Sequence, residues 1–150
     1  MNNAVSVLAN NRYLVLGTVD TEGNPWTTPV FFAMLDDDRL CWVSSPQSRH
    51  SRNIAAHPAI AITVFDSSVP VGSAEAAYFE AIAAPVAEQA VGGAVIALNS
   101  RLPDGKQLST EDLEPAGPLV AYAAAIRRRF VLVRGGSPHS THAFDTTVEI

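Results

Sequence analysis

The stretch "RYLVLGTVDTEGNPWTTPVFFAM", residues 12–34, decides the fold. Residues 12–20 are rich in β-formers, Asp20 opens a turn, and Gly23 is free to take positive φ before residues 25–34 run back as a second strand. The segment therefore reads as a β-hairpin. On its returning arm Thr28, Val30 and Phe32 share one face and Thr27, Pro29 and Phe31 the other, so both faces carry bulky apolar groups. Pro29 has no N–H to give a ladder, which places this arm at an edge or a bulge. A strand buried on both sides, in a barrel wall and a subunit contact, is the ordinary reading of such a pattern. A flat aromatic ligand lying along the strand edge is the alternative.

Working outward, Asp36, Asp37 and Asp38 turn the chain into "RLCWVSS", a third strand ending near Ser44. Next comes "VSSPQSRHSRNIAAHP", residues 43–58, where a strand gives way to a short helix that must stop before Pro58, because the residue preceding proline is pushed out of the α region. Two helix starts fit: Ser45 as N-cap with Pro46 in the first helical position, or Ser48 as N-cap with Arg49, His50 and Ser51 in the first turn. Either start puts cations where the helix dipole is already positive, at a cost of about 0.3–1 kcal/mol each. Backbone N–H groups, serine hydroxyls and a guanidinium fork are what a phosphate monoester needs, so the pattern points to a bound anion. Solvated arginines paired with distant carboxylates are the plainer explanation.

Residues 59–66, "AIAITVFD", form a fourth strand, and "AAYFEAIAAPVAE" a fifth, bounded by Pro85. "EQAVGGAVIALNSRL", residues 88–102, has helical spacing despite Gly92 and Gly93, and Ser109 to Asp112 has capping-box spacing. "IRRRFVLVRG", residues 126–135, is a sixth strand, its alternation placing Arg127 and Arg129 on one face and Arg128 on the other. The fold expected from this pattern is mainly β: a small six-stranded antiparallel barrel with two or three short helices, formed by residues 1–150 as one domain.

With 150 residues the chain can bury a continuous core without metal or disulfide support. Hydrophobic residues make up 47% and charged residues 17%, which leaves apolar surface for a second subunit to cover and points to a homodimer. A net charge of −5 argues against nucleic acid or an anionic membrane as partner. Cys41 is the one cysteine, so no intrachain disulfide and no cysteine-based zinc site can form. No signal-like or membrane-spanning run is present, and a cytoplasmic location is expected.

The order "YLVLGTVDTEGNPWTTPVFF" followed by "RLCWVSSPQSRHSRNIAAHPAIAITVF" resembles the flavin-binding split barrel of the pyridoxamine 5′-phosphate oxidase-like superfamily, over about residues 8–85. In that family a segment "SRKARN" holds the flavin phosphate, and Ser48, Arg49, His50, Ser51, Arg52 and Asn53 stand in its place. The resemblance implies FMN in a groove between two subunits, its phosphate near Arg49 and His50. Thr28, Pro29, Val30 and Phe31 would border the isoalloxazine ring, with Val43, Ser44 and Ser45 approaching from the third strand. It implies a flavin-dependent oxidoreductase acting on a small-molecule redox substrate, with F420- or haem-binding relatives as alternatives, and a non-catalytic flavin-binding or sensing dimer as the reading from another class. The chain departs from the family at His50, where lysine is usual, and at Thr28, where oxidases proper often carry arginine. With an ordinary pKa of about 6.5, His50 would be partly charged at neutral pH. The substrate-phosphate residues of true pyridoxamine phosphate oxidases are not evident in the shorter second half, so that reaction is not assigned.

No side chain is assigned as a catalytic acid or base, and no hydrolase triad spacing is present. His139 and His142 form an H-x-x-H pair without a helix to align them or a third ligand, and no metal site is expected. Trp26 and Trp42 either pack on a flavin or fill the core and interface, core packing being the ordinary reading, and Arg127 to Arg129 either steer an acidic cofactor or, as the ordinary reading, are surface charge.

Overall fold

The computed structural model describes residues 3–114, 117–136 and 143–150. Strands β1 (Tyr13–Val19) and β2 (Pro25–Phe31) form the expected hairpin, in register from Tyr13 opposite Phe31 to Val19 opposite Pro25. The turn is held from one side chain. Asp20 Oδ1 accepts from the N–H groups of Glu22 and Asn24, each at 2.9 Å, while Gly23 takes φ +84°, a region that L side chains rarely adopt.

The chain continues through Phe32 into β3 (Ala33–Asp36), then β4 (Arg39–Ser44), helix α2 (Arg49–Ala56), β5 (Ala59–Phe65) and β6 (Ala76–Pro85). Helix α3 (Val91–Asn99), two short 3₁₀ turns, β7 (Val120–Val133) and β8 (Thr146–Glu149) complete it, and helix α1 (Asn3–Asn10) precedes β1. The hydrogen-bonded order is β2-β1-β5-β6-β7-β4-β3, antiparallel throughout, with β8 added beside β7. The end strands of that path, β2 and β3, are joined through Phe32 alone, so the chain itself carries the sheet round into a barrel.

The antiparallel split barrel is thus present, and the difference in strand count has a local cause. The run expected as one strand over 25–34 breaks at Phe32, whose N–H still donates to Arg12 O at 3.2 Å in line with the β1 pairing and whose ring is fully buried before the chain passes to β4. Its first half pairs with β1 and its second half with β4, so β2 and β3 together occupy one barrel position. β8 is a true addition. Arg128 binds Glu149 at 2.7 Å and Arg134 binds Asp145 at 2.7 Å, and these pairs fasten the last strand to β7.

Two apolar clusters explain the sequence patterns. Inside the barrel lie Leu14, Leu16, Phe32, Leu40, Trp42, Ile62, Val64 and Phe79, with Trp42 stacked on Tyr122 at 6.0 Å between centroids. Helix α1 closes this core with Ala4, Val7 and Leu8, an i, i+3, i+4 stripe too short to stand out in the sequence. Outside, α3 covers Ala33, Cys41 and Ala121 with Ala94, Val95 and Leu98. This second cover is why β4 reads apolar on both faces.

The segment expected to be helical from residue 88 begins as a 3₁₀ turn over Glu88–Ala90. The Ser109 capping box is present, with the Ser109 N–H donating to Asp112 at 2.8 Å. The expected sixth strand begins earlier, at Val120, and its arginines do not simply alternate. A bulge sets Ile126 opposite Ala81 and Arg128 opposite Glu80, which leaves Arg127 without a register partner.

Candidate functional site

The two possible helix starts resolve in favour of Ser48. Its backbone is extended (φ −63°, ψ 152°), and its Oγ accepts the Ser51 N–H at 3.3 Å. Ser45 forms the turn before it: Ser45 O accepts the Ser48 N–H at 3.1 Å and the Ser48 hydroxyl at 2.8 Å, and Ser45 Oγ accepts the Gln47 N–H at 3.1 Å. By helix geometry the N–H groups of Arg49 and His50 have no carbonyl within α2 to donate to.

Arg49, Arg52, Asn53 and Ala56 follow i, i+3, i+4, i+7 spacing and share one face of α2. With Asp20 and Thr21 of the hairpin turn, they line a hollow of about 400 Å³. The Arg49 guanidinium lies over the Trp26 ring, 4.2 Å from its centroid, and Trp26 is exposed at the surface and not part of the core. Among the described residues neither Arg49 nor Arg52 makes a salt bridge. Hydrogen bonding, chiefly from the Asn24 N–H, holds the Asp20 carboxyl below its ordinary range against the opposing effect of burial, and the Arg49 charge adds to the lowering. Beneath the hollow, buried Asn53 donates to buried Thr18 Oγ1 at 3.0 Å and ties α2 to β1.

His50 points elsewhere. Its Nε2 sits 2.8 Å from Ser44 Oγ and 3.3 Å from Ser48 Oγ, and burial pushes its pKa below the ordinary histidine value. The structure therefore brings Ser44, Ser45, Ser48 and His50 together at the junction of β4 and α2, while Arg49 turns toward β2. Val43 is half-buried against the outer cluster under α3. Along β2, Thr28 is half-buried, Pro29 is exposed, and the Val30 side chain lies in the core, so Val30 can offer a ligand only its backbone. β2 ends the sheet path, which leaves its second edge without a strand partner among the described residues.

Phe31 borders a second hollow that sequence reasoning missed. It holds about 510 Å³ and is lined by Arg12, Tyr13, Phe31, Ser100, Arg101 and Lys106 among others. Arg101 is fixed there by donating to Phe32 O at 2.9 Å and to Asn11 O, with its guanidinium 4.7 Å from the Phe32 centroid. Burial, with the Arg12 charge behind it, lowers the Arg101 pKa. No motif could have signalled this group, because its members come from the start of β1, the end of β2 and the loop after α3.

Other candidates are placed as follows. Cys41 is buried and burial pushes its thiol up to about 11, so it is inert at neutral pH. His139 and His142 lie outside the described residues, among which no group of three or more potential ligands could hold a metal ion. No helix among the described residues is long and apolar enough to cross a membrane.

The sequence model of the family described as pyridoxamine 5′-phosphate oxidase matches residues 2–113. The chain belongs to this family. No curated protein matches it in sequence. Similar solved structures include HutZ, a haem storage protein of Vibrio cholerae (17% identity, 83% of this chain and 88% of that one, TM-score 0.67). A haem-binding protein of Mycobacterium smegmatis is 16% identical over 95% of this chain and 55% of that one, with a TM-score of 0.68. An F420 reductase is 21% identical over 86% of this chain and 97% of that one, with a TM-score of 0.64. At these identities the likenesses show the shared split-barrel fold.

Proposed function

We propose that residues 1–150 act as one FMN-binding unit and that the protein is a homodimeric, flavin-dependent oxidoreductase of a small-molecule substrate. The carrying observation is that Arg49 and Arg52, neither in a salt bridge among the described residues, face a hollow at the capped start of α2, with Asp20 as the carboxylate on its rim. The donor set fits a phosphate monoester: the Arg49 and Arg52 guanidinium groups, free helix N–H groups and the Thr21 hydroxyl supply both charge and direction. The flavin ring would lie along Thr28, Pro29, Val30 and Phe31, where the free edge of β2 offers backbone groups, with Val43, Ser44 and Ser45 beside it.

Bound FMN supplies two-electron chemistry, accepting or giving a hydride. The chain's own residues bind and orient it. Arg49 is held by Trp26, and Asn53 holds α2 against β1, so the anion seat is fixed before a ligand arrives. The Arg12, Arg101 and Lys106 hollow beyond Phe31 supports a substrate carrying a negative group. The exposed Trp26 and the free β2 edge support a second subunit there, and a cytoplasmic location fits a chain with one buried thiol.

F420 and haem are the alternative cofactors, since similar structures are named for each. A non-catalytic flavin-binding dimer is favoured by a separate observation: His50 is engaged by serines and leaves no acid or base assigned in the site. The absorption spectrum of purified protein titrated with FMN, F420 and haem, followed by NADH and NADPH consumption, separates these readings. Flavin bands with turnover support the oxidoreductase. Bands without turnover support the binding module, and no uptake of FMN overturns the proposal.

A further inference from the structure

A third hollow, of about 240 Å³, opens on the side of α2 turned away from the arginines. At about 100° of helix per residue, Ser51, Ile54 and Ala55 lie opposite Arg49, Arg52 and Asn53, so one helix separates this hollow from the anion seat. Its other walls are Pro58, the end of β6 at Ala83, Ala84 and Pro85, and Tyr122 of β7. These walls are tied together. The Ala83 N–H donates to Pro58 O at 2.9 Å, Ile54 and Ala83 are buried, and Tyr122 stacks on the buried Trp42. Alanines at 55, 83 and 84 leave a space that longer side chains would fill.

Among the described residues the lining holds two polar side chains, Ser51 and Tyr122, and no charged one. Ser51 Oγ is already bonded to Ser48 Oγ at 2.8 Å. Tyr122 is 4% exposed, and its hydroxyl has no hydrogen-bond partner among the described residues. Among those residues the unpartnered side-chain atoms sealed from solvent are Trp42 Nε1 and Arg134 Nε, so the Tyr122 hydroxyl keeps its small exposure in the hollow. A water there meets one free partner where an ordered water needs about two to four, and Ile54, the prolines and the alanines offer it nothing. Displacing so poorly held a water by an apolar group is favourable, and an acceptor that meets the phenolic proton adds a bond that the fold leaves unmade. We infer that this hollow is a second binding site, for a small uncharged molecule that is mostly apolar and offers one carbonyl-type oxygen to the Tyr122 hydroxyl. An ion does not suit it, because nothing in the lining compensates charge. The site is independent of the proposed cofactor.

The test uses the intact protein without flavin and two probes of one shape: acetophenone, and α-methylstyrene, in which a methylene replaces the carbonyl oxygen. Titration followed by amide NMR reads both affinity and place. Acetophenone should shift the amide signals of Ala55, Ala84 and Tyr122, and α-methylstyrene should bind about 3- to 10-fold more weakly. Tyr122→Phe should bring acetophenone down to the affinity of α-methylstyrene and leave the latter unchanged. Because the hydroxyl holds nothing in the fold, the same variant should keep its urea midpoint. Ala84 and Ala55 are exposed, so Ala84→Leu fills the hollow from the strand side and Ala55→Leu from the helix side, and either should abolish binding of both probes. Equal affinities for the two probes, acetophenone binding unaltered in Tyr122→Phe, or both probes retained by the filled variants overturn the inference. So do shifts centred on other residues, no shifts at all, or a lowered midpoint in Tyr122→Phe, which would give the hydroxyl a structural partner instead.

Discussion

The arginines of the β7 region and those of α2 meet different partners. Arg128 binds Glu80 and Glu149, Arg129 binds Asp38, and Arg134 binds Asp145, each at 3.3 Å or less. Arg49 rests on an indole instead, and Arg52 lines a hollow. The first group is neutralised where it stands, and its pairs are exposed enough that water screens most of their attraction. In the second group no salt bridge forms among the described residues, only a longer-range attraction between Arg49 and Asp20, at a place where the helix dipole already disfavours positive charge. The same side chain thus closes a sheet edge in one region and, under the proposed function, would meet an anion in the other.

The sharpest way to break this contrast is to disturb the support common to both regions. Phe32 joins β2 to β3 and is fully buried, so Phe32→Ala should lose about 3–5 kcal/mol in a denaturant melt and loosen both regions together. Next in size, Arg49→Ala should weaken FMN binding by about 10- to 100-fold in a titration while leaving the urea midpoint nearly unchanged. Unaltered affinity would place the anion elsewhere. Arg52→Ala should cost about two- to fivefold in the same titration, an effect that 0.5 M salt should shrink.

Arg128→Ala should do the reverse of Arg49→Ala. FMN affinity should hold, and only the protection of β8 amides against hydrogen exchange should fall. The smallest effect concerns pH. His50 binds its proton less readily folded than unfolded, so stability in the ligand-free protein should rise with pH between the lowered folded value and the ordinary 6.5. Above 6.5 this contribution is constant; below the window the full penalty applies. Thermal melts of wild type against His50→Gln between pH 5 and pH 7 check the sign.

Much of this was legible in residues 12–66. The hairpin is written in alternation and in the Asp20–Gly23 turn, and the helix start in its serines and its stop before Pro58, because these are local devices. What stayed hidden was decided by contacts across the chain. Phe32 breaks a strand whose propensity runs unbroken, since only barrel closure requires the kink. The α1 stripe of Ala4, Val7 and Leu8 is one turn of signal. The Arg127–Arg129 alternation fails at a bulge that depends on β6. Within the site, the arginines were visible as a cluster, but spacing alone could not show that Arg49 turns to Trp26 while His50 turns to Ser44. The Arg101 hollow is assembled from distant segments and has no local mark.

Closure through Phe32 also bears on how the protein is made. The hairpin and β3–β4 can pair as soon as they leave the ribosome, yet the other edge of β4 is met only by β7, from Arg39 opposite Ala125 to Ser44 opposite Val120. Until that late strand emerges, Leu40 and Trp42 line an open wall with unpaired backbone groups along its rim. A truncated or stalled nascent chain ending before residue 120 is therefore a sticky half-barrel, and cellular yield should depend on how quickly the last third of the message is translated.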